Sequence, residues 1–263
     1  MSNIKDTAEA IKGIVEAVPI YEDALQPAMK ELSKGTLTVA KAVNVALAPV
    51  SLLVWGYEQI KGYLETSLPK KLENTPSENI QSPDPSIAVP TIEALRYTGQ
   101  NEELREMFSN LLANAMDKET SPATHPSFVE IIKQINSDEA KIVTLLNNNA
   151  PHPLVKVKAV NKENEYFNEL LSNFSLLPYD ADCDFPEQGS SYLENLVRLG
   201  LAEISYSTYV IKPNAYDNIY SHPVIKSYEE YIKSIDKRFV VDKGSFIRNS
   251  YGKKFYESCV KSK

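Results

Sequence analysis

PSIAVPTIEALRYTGQNEELREMFSNLLANAMDKETSPATHPSFVEIIKQINSDEAKIVTLL, residues 85–146, is the stretch whose reading decides the fold. It reads as a run of short, well-capped helices. Pro90 suits a first helical turn and Gly99 a C-terminal cap. Asn101 has the side chain of an N-cap, and Glu102 and Glu103 follow at the positive end of the next helix. Leu104, Met107, Phe108, Leu111, Leu112 and Ala115 then recur at spacings of three and four, which places them on one apolar face. Pro126 opens a third helix, with Phe128, Val129, Ile131, Ile132 and Ile135 directed inward. Ser137 is the expected cap of a fourth, carrying Ile142, Val143, Leu145 and Leu146, with a sharp turn around Asn136.

Within this stretch Ile92–Gln100, Leu104–Met116 and His125–Lys141 resemble the abortive infection alpha family of bacterial proteins. Upstream, the stretch Val18–Tyr63, with PIYEDALQPAMKELSKG and NVALAPVSLLVWGYEQIKGYL, resembles the same family. The resemblance marks Arg96, Tyr97, His125 and Pro126 as family-like motif residues. It implies anti-phage defence by abortive infection. It supplies no reaction, because no catalytic motif goes with it.

On the N-terminal side, residues 4–34 are amphipathic with breaks at Pro19 and Pro27. A second helix is expected over 36–64. It is apolar on nearly every face from Leu37 to Trp55, the pattern of a buried or membrane-inserting helix. Lys41, Asn44 and Pro49 interrupt that run, so a helix wrapped by its neighbours is the first reading. In the alternative, the helix leaves its bundle for a bilayer or a partner, with Leu52, Leu53, Trp55 and Tyr57 at the contact. Residues 70–90 carry four prolines and few large apolar groups, and are expected to be an extended linker.

On the C-terminal side the pattern changes. Val155, Val157 and Ala159 alternate with Lys156 and Lys158, as in a strand. Glu165–Phe174 reads as a helix and Ser190–Leu199 as another. LGLAEIS and TYVIK read as a hairpin, Pro223–Ile235 as an amphipathic helix, RFVVDKG–SFIRNS as a two-stranded wing, and Tyr251–Val260 as a closing helix. This order resembles a winged-helix domain with a helix inserted at 223–236. The expected class is therefore mainly α. Helices 1–69 pack with the cluster at 91–147 across the linker, and 148–263 forms a small α+β domain of winged-helix type.

The chain has 263 residues, 43% hydrophobic and 24% charged, with nine glycines and two cysteines. Those values describe a globular chain without a disulfide framework. The first residues mix acids into their apolar stretch, unlike a signal peptide, so a cytoplasmic location is expected. The net charge of −7 is uneven. Beyond Ile235, Lys237, Arg238, Lys243, Arg248, Lys253, Lys254, Lys261 and Lys263 face only two acids, Asp242 and Glu257, among residues 237–263. Of these, Arg238, Lys243, Arg248, Lys253 and Lys254 are the candidates for nucleic-acid contact. The proposed recognition helix at 190–199 adds only Arg198, beside Glu194, so any such binding is expected to be weak.

Each histidine precedes a proline (His125, His152, His222), which places it at an element boundary as a cap or in water. His125 and Glu130 form a conceivable acid–base pair, but their spacing across a helix start does not bring them together. The acids around Cys183 disfavour its thiolate. No metal-ligand spacing, phosphate-binding loop or nucleophile elbow occurs. The expectation is a non-enzymatic defence protein without a cofactor, acting through a protein partner or homo-oligomer. A nucleic-acid sensor and a membrane-perturbing effector activated on infection are the alternatives.

Overall fold

The computed structural model describes residues 54–263. Residues 36–53 of the helix expected over 36–64, including Leu52 and Leu53, lie outside them, as does the amphipathic stretch expected over 4–34. The described chain forms two compact units: residues 54–134 with Lys261–Lys263, and Ile135–Val260.

The first unit is helical. Helix α1 (Tyr57–Lys71) buries Ile60, Leu64 and Leu68, spaced at four. It does not continue upstream through residue 55, as the expected helix over 36–64 requires. Gly56 is its extended N-cap, and the Gly56 amide donates to the Gln59 side chain at 3.0 Å. Helix α2 (Pro85–Thr98) begins inside the stretch expected to be a linker, with Pro85 in its first turn and the Asp84 carboxylate accepting from the Ser86 amide at 2.7 Å. The rest of that stretch is also ordered. Ser77–Asn79 forms a 3-10 turn, Ile80 bridges to Asp117, and the Gln81 amide donates to the Met116 carbonyl at 2.9 Å. Backbone groups that water would have satisfied are met by neighbouring chain. Helix α3 (Glu102–Ala115) is the axis of the unit, and every residue from Met107 to Ala115 is buried. Its Asn101 cap accepts from the Leu104 amide at 2.9 Å, as the sequence indicates. Helix α4 (Ser127–Lys133) buries Phe128, Val129, Ile131 and Ile132.

The second unit starts earlier than expected, at Ile135. Helix α5 (Ser137–Leu145) belongs to it and is capped by Asn136, not Ser137. The Asn136 side chain accepts from the Glu139 amide, and the Glu139 carboxylate accepts in return from the Asn136 amide, each at 2.8 Å. Then follow β1 (His152–Val160), β2 (Phe167–Phe174), α6 (Leu177–Asp180), α7 (Gly189–Arg198), β3 (Ala202–Ser205), α8 (Asp217–Ser221), α9 (Pro223–Ser234), β4 (Arg238–Arg248) and α10 (Ser250–Phe255), which a π-helical turn at Tyr256–Val260 extends. The strands form one antiparallel sheet in the order β2-β1-β4-β3. One face carries Val155, Val157 and Ala159 against Tyr216, Ile219, Ile225 and Ile232 from the α8–α9 region.

Three local readings change here. Residues 167–174 form strand β2, not a helix, because a tight turn closed by the Asn161 amide on the Tyr166 carbonyl (2.7 Å) pairs them with β1. The two-stranded wing is one eleven-residue strand. Gly244 lies mid-strand opposite Leu154, and a Cβ there would stand 2.7 Å from the Ser205 carbonyl, so glycine serves close approach and not a turn. TYVIK is not a strand; AEIS pairs instead with the end of β4.

Candidate functional site

The helical unit holds a polar pocket of about 410 Å³ lined by residues of α1, by Glu106 of α3 and by the terminal Ser262 and Lys263. Helical spacing on α1 places Tyr63, Ser67 and Lys71, each four residues from the next, along one stripe facing α3. The Lys71 ammonium donates to Glu106 Oε2 at 2.8 Å and to Asn110 Oδ1 at 2.7 Å. The Tyr63 hydroxyl donates to Glu106 Oε1 at 2.9 Å, and Ser109 donates to Ser67 at 3.1 Å. Burial alone would raise the Glu106 carboxyl. Hydrogen bonds from Lys71 and Tyr63, with the charges of Lys71 and Arg105, outweigh it and hold the group below its ordinary range. Burial, and then the neighbouring Glu106, push the Tyr63 phenol up to about 12. Tyr63 is thus a neutral donor and Glu106 a fixed carboxylate. The set is a clamp between α1 and α3, since its acid and its base are already committed to each other.

A second carboxylate cluster lies in the α+β unit. Asp138 is 4% exposed and accepts from the Asp184 amide (2.8 Å), the Phe185 amide (3.0 Å) and the Tyr192 hydroxyl (3.0 Å). Burial would raise its carboxyl, but these donors and Lys141 hold it low. The same burial, reinforced by Asp138, pushes the Cys183 thiol up to about 11, so that sulfur is inert as a nucleophile.

The structure disperses the basic candidates. Arg238 and Arg248 stand at opposite ends of β4, about 33 Å apart at the rise of an extended strand. Arg238 is exposed near Glu165 at 3.8 Å. Arg248 is 7% exposed, donates to Asn149 at 3.1 Å and lies 4.9 Å from the centre of the Tyr256 ring. Lys243 is exposed mid-strand, and Lys253 and Lys254 are exposed on α10. Alternation along β4 sends Lys243 to the face opposite Asp242, which pairs with Lys158.

Among the family-like residues, Arg96 and Tyr97 end α2, and Tyr97 is 70% exposed. His125 caps α4 by accepting from the Ser127 amide at 3.1 Å, with Pro126 at the N-cap. Glu130 pairs with Lys133 at 3.0 Å instead of with His125. His222 caps α9 in the same way, accepting from the Val224 amide at 3.3 Å. His152 departs from the expected role of cap or solvated ring. It begins β1, its Nε2 is buried without a partner, and burial lowers its pKa. Of the residues assigned to a membrane or partner contact, Tyr57 is half-buried in the first turn of α1. Trp55 packs within the helical unit. Its ring lies edge-on to Tyr63 at 5.7 Å and at the same distance from the Arg105 guanidinium, and its amide donates to the Arg96 carbonyl at 2.8 Å.

The model of the family described as abortive infection alpha matches residues 56–259. The chain belongs to the abortive infection alpha family. Membership indicates a defence role of the abortive-infection kind. The abortive infection alpha match spans both units, so it includes the Tyr63–Lys71–Glu106 clamp and the Asp138 cluster. No curated protein matches the chain. One solved structure it is similar to is an uncharacterized protein from the hydrocarbon-degrading marine bacterium Alcanivorax borkumensis SK2. That similarity has 11% identity over 53% of this chain and 93% of the other, with a TM-score of 0.36.

Neither the clamp nor the Asp138 cluster stands out in the sequence of this abortive infection alpha protein. The i, i+4 stripe Tyr63–Ser67–Lys71 is a local signal from which the α1 half of the clamp could have been found. Its partners lie more than thirty residues away on α3.

Proposed function

We propose that the protein serves abortive infection as a non-enzymatic, cytoplasmic binding protein whose α+β unit engages a protein partner. The observation that carries the binding mode is the set of large apolar side chains left in solvent on that unit. Tyr166 (76% exposed), Phe167 (53%), Phe185 (60%) and Tyr231 (54%) are among them. Aromatic groups of this kind supply most of the energy of protein interfaces. The ionisable clusters point the same way, since Glu106 and Asp138 are held by structural partners and not poised for proton transfer.

A winged-helix reading of this unit draws support from β1, β4 and β3 lying side by side in that order, with α6 and α7 between β1 and β3 in sequence. In that reading β2 and the α8–α9 pair are elaborations. Helix α7 would be the recognition helix. Its exposed positions include both Glu194 and Arg198, a charge-balanced face that favours protein over phosphate backbone. The membrane alternative rests on the apolar run from Leu37 to Trp55, which lies outside the described residues up to residue 53; among the described residues no helix is long and apolar enough to cross a bilayer.

The test is phage challenge of bacteria with and without the gene. Protected cultures should form fewer plaques, with infected cells dying before they release phage. The double substitution Tyr166→Ser with Phe167→Ser removes two rings that are mostly in solvent, with one packing contact, of Phe167 on the Lys158 ammonium at 4.4 Å, so it should change the melting temperature by a few degrees at most and abolish protection. Full protection by that variant would overturn the docking surface, and absence of protection against a broad phage panel would overturn the defence role.

A further inference from the structure

Between β3 and α8 the chain encloses, with Lys243 of β4, a pocket of about 310 Å³. Its shape is pinned from below. The Tyr216 hydroxyl donates to the Gly244 carbonyl at 2.7 Å and accepts from the Val210 amide at 2.9 Å, and Tyr216 is only 3% exposed. Asn214 turns the loop with a left-handed φ of 61°. The volume is that of a site for a small organic ligand.

The pocket differs in its charges from the ion-paired lysines of β1 and α9 and of the turn after β1. Lys156, Lys158, Lys162, Lys226 and Lys233 each pair with a carboxylate. Lys243 does not: among the described residues its ammonium meets only aromatic faces, 5.1 Å from the Tyr216 ring centre and 5.9 Å from that of Tyr220. Lys212, on the loop, also has no ion-pair partner among the described residues. Asp217 is the one carboxylate in the lining, against two ammonium groups. At the rim stand Tyr209, 55% exposed, and Ile211, 87% exposed, which offer an aromatic and an aliphatic platform to a flat ring. Cations beside an exposed aromatic are the elements that bind a phosphate attached to a base. A polymer is a poor occupant. The chain carries a net charge of −7, and Arg238 and Arg248 do not extend the pocket into a basic track.

We propose that this pocket binds a nucleoside phosphate, with its phosphates on Lys243 and Lys212 and its base against Tyr209 and Ile211. No glycine-rich loop is needed, because the anion is met by ammonium groups and not by backbone amides.

Isothermal titration calorimetry of the full chain tests the site directly. The probes are the common ribonucleoside triphosphates, adenosine alone and inorganic tripolyphosphate. At least one nucleoside triphosphate should bind, and adenosine and tripolyphosphate should each bind far more weakly. Lys243→Met should weaken binding roughly tenfold or more through the lost charge-assisted contact. Tyr209→Ala should weaken it about fivefold or more through lost stacking. Lys254→Met, outside the pocket, should change nothing. A melting curve accompanies each variant. If Lys243→Met does not fold, Lys212→Met, a substitution in the loop, decides in its place. No nucleoside triphosphate binding up to millimolar concentration overturns the proposal. So does tripolyphosphate binding as tightly as the nucleotide, which would leave a plain anion site, and so does full affinity in the folded lysine variant. These outcomes are independent of phage protection and of Tyr166 and Phe167, so this site and the docking surface fail separately.

Discussion

Asp138 illustrates how one side chain holds distant segments together. Its carboxylate ties α5 to the loop before α7 and to Tyr192 within α7, all inside the α+β unit. Asp138→Ala leaves the buried Tyr192 hydroxyl without an acceptor, at a cost of about 1–3 kcal/mol, and removes the acceptor of two partly buried amides that water can reach. The variant should therefore lose about 2 kcal/mol or more in urea denaturation at neutral pH. The sign of the pH effect follows from the depressed carboxyl. Its contribution is complete above the unfolded-state pKa of about 4 and is lost as pH falls through the lower folded-state value. Wild-type stability should thus fall steeply in acid, and that of Asp138→Ala less steeply, because Glu106 and Asp117 are also depressed and still contribute. Parallel pH curves for the two proteins would show that Asp138 is not ionised in the way its partners imply. None of this was legible from residue 138 alone. An aspartate one residue inside a helix start is usually a solvated dipole partner, and only the return of residues 184–192 makes it a buried hub.

At the scale of elements, helices and strands were not equally readable. Helix α3 followed from its cap and its apolar spacing, and Phe108, Leu111 and Leu112 are fully buried as that spacing requires. Leu111→Asp places an unpaired carboxylate in this core and should cost about 4 kcal/mol or more, enough to unfold the helical unit. A soluble Leu111→Asp protein with an unchanged cooperative melt would refute the assignment. Strand β2 was misread because Leu170, Leu171 and Phe174 recur at intervals that fit a helix face as well as a bulged strand. The register shifts against β1 near Val157 remove the strict alternation that announces a strand. The wing was misread for a related reason. Glycine between two β-rich runs is the ordinary mark of a turn, yet at Gly244 it answers the approach of Ser205, a residue from another strand.

For the whole molecule, the count of basic residues near the C-terminus indicated an electrostatic footprint that the fold then divides. Arg248 is buried, Arg238 sits beside Glu165, and Lys243 faces its own pocket. Single- or double-stranded oligonucleotides should bind weakly or not at all at physiological salt, and replacing Lys243, Arg248 and Lys253 with Glu should change little. Tight, salt-sensitive binding lost in that triple variant would restore the nucleic-acid reading, since such affinity rests on phosphate contacts. The sequence by itself determined helix α3 with its Asn101 cap, the apolar face of α4, the family and the mixed character of the second unit. Those properties are written in side chains a few residues apart, where capping and periodicity operate. Only the tertiary structure decided that β4 is a single strand lying between β1 and β3, that Asp138 and Glu106 are clamped, and that Lys243 is left unpaired. Each of these depends on residues far apart in the chain being brought within hydrogen-bonding reach, and local spacing carries no record of that.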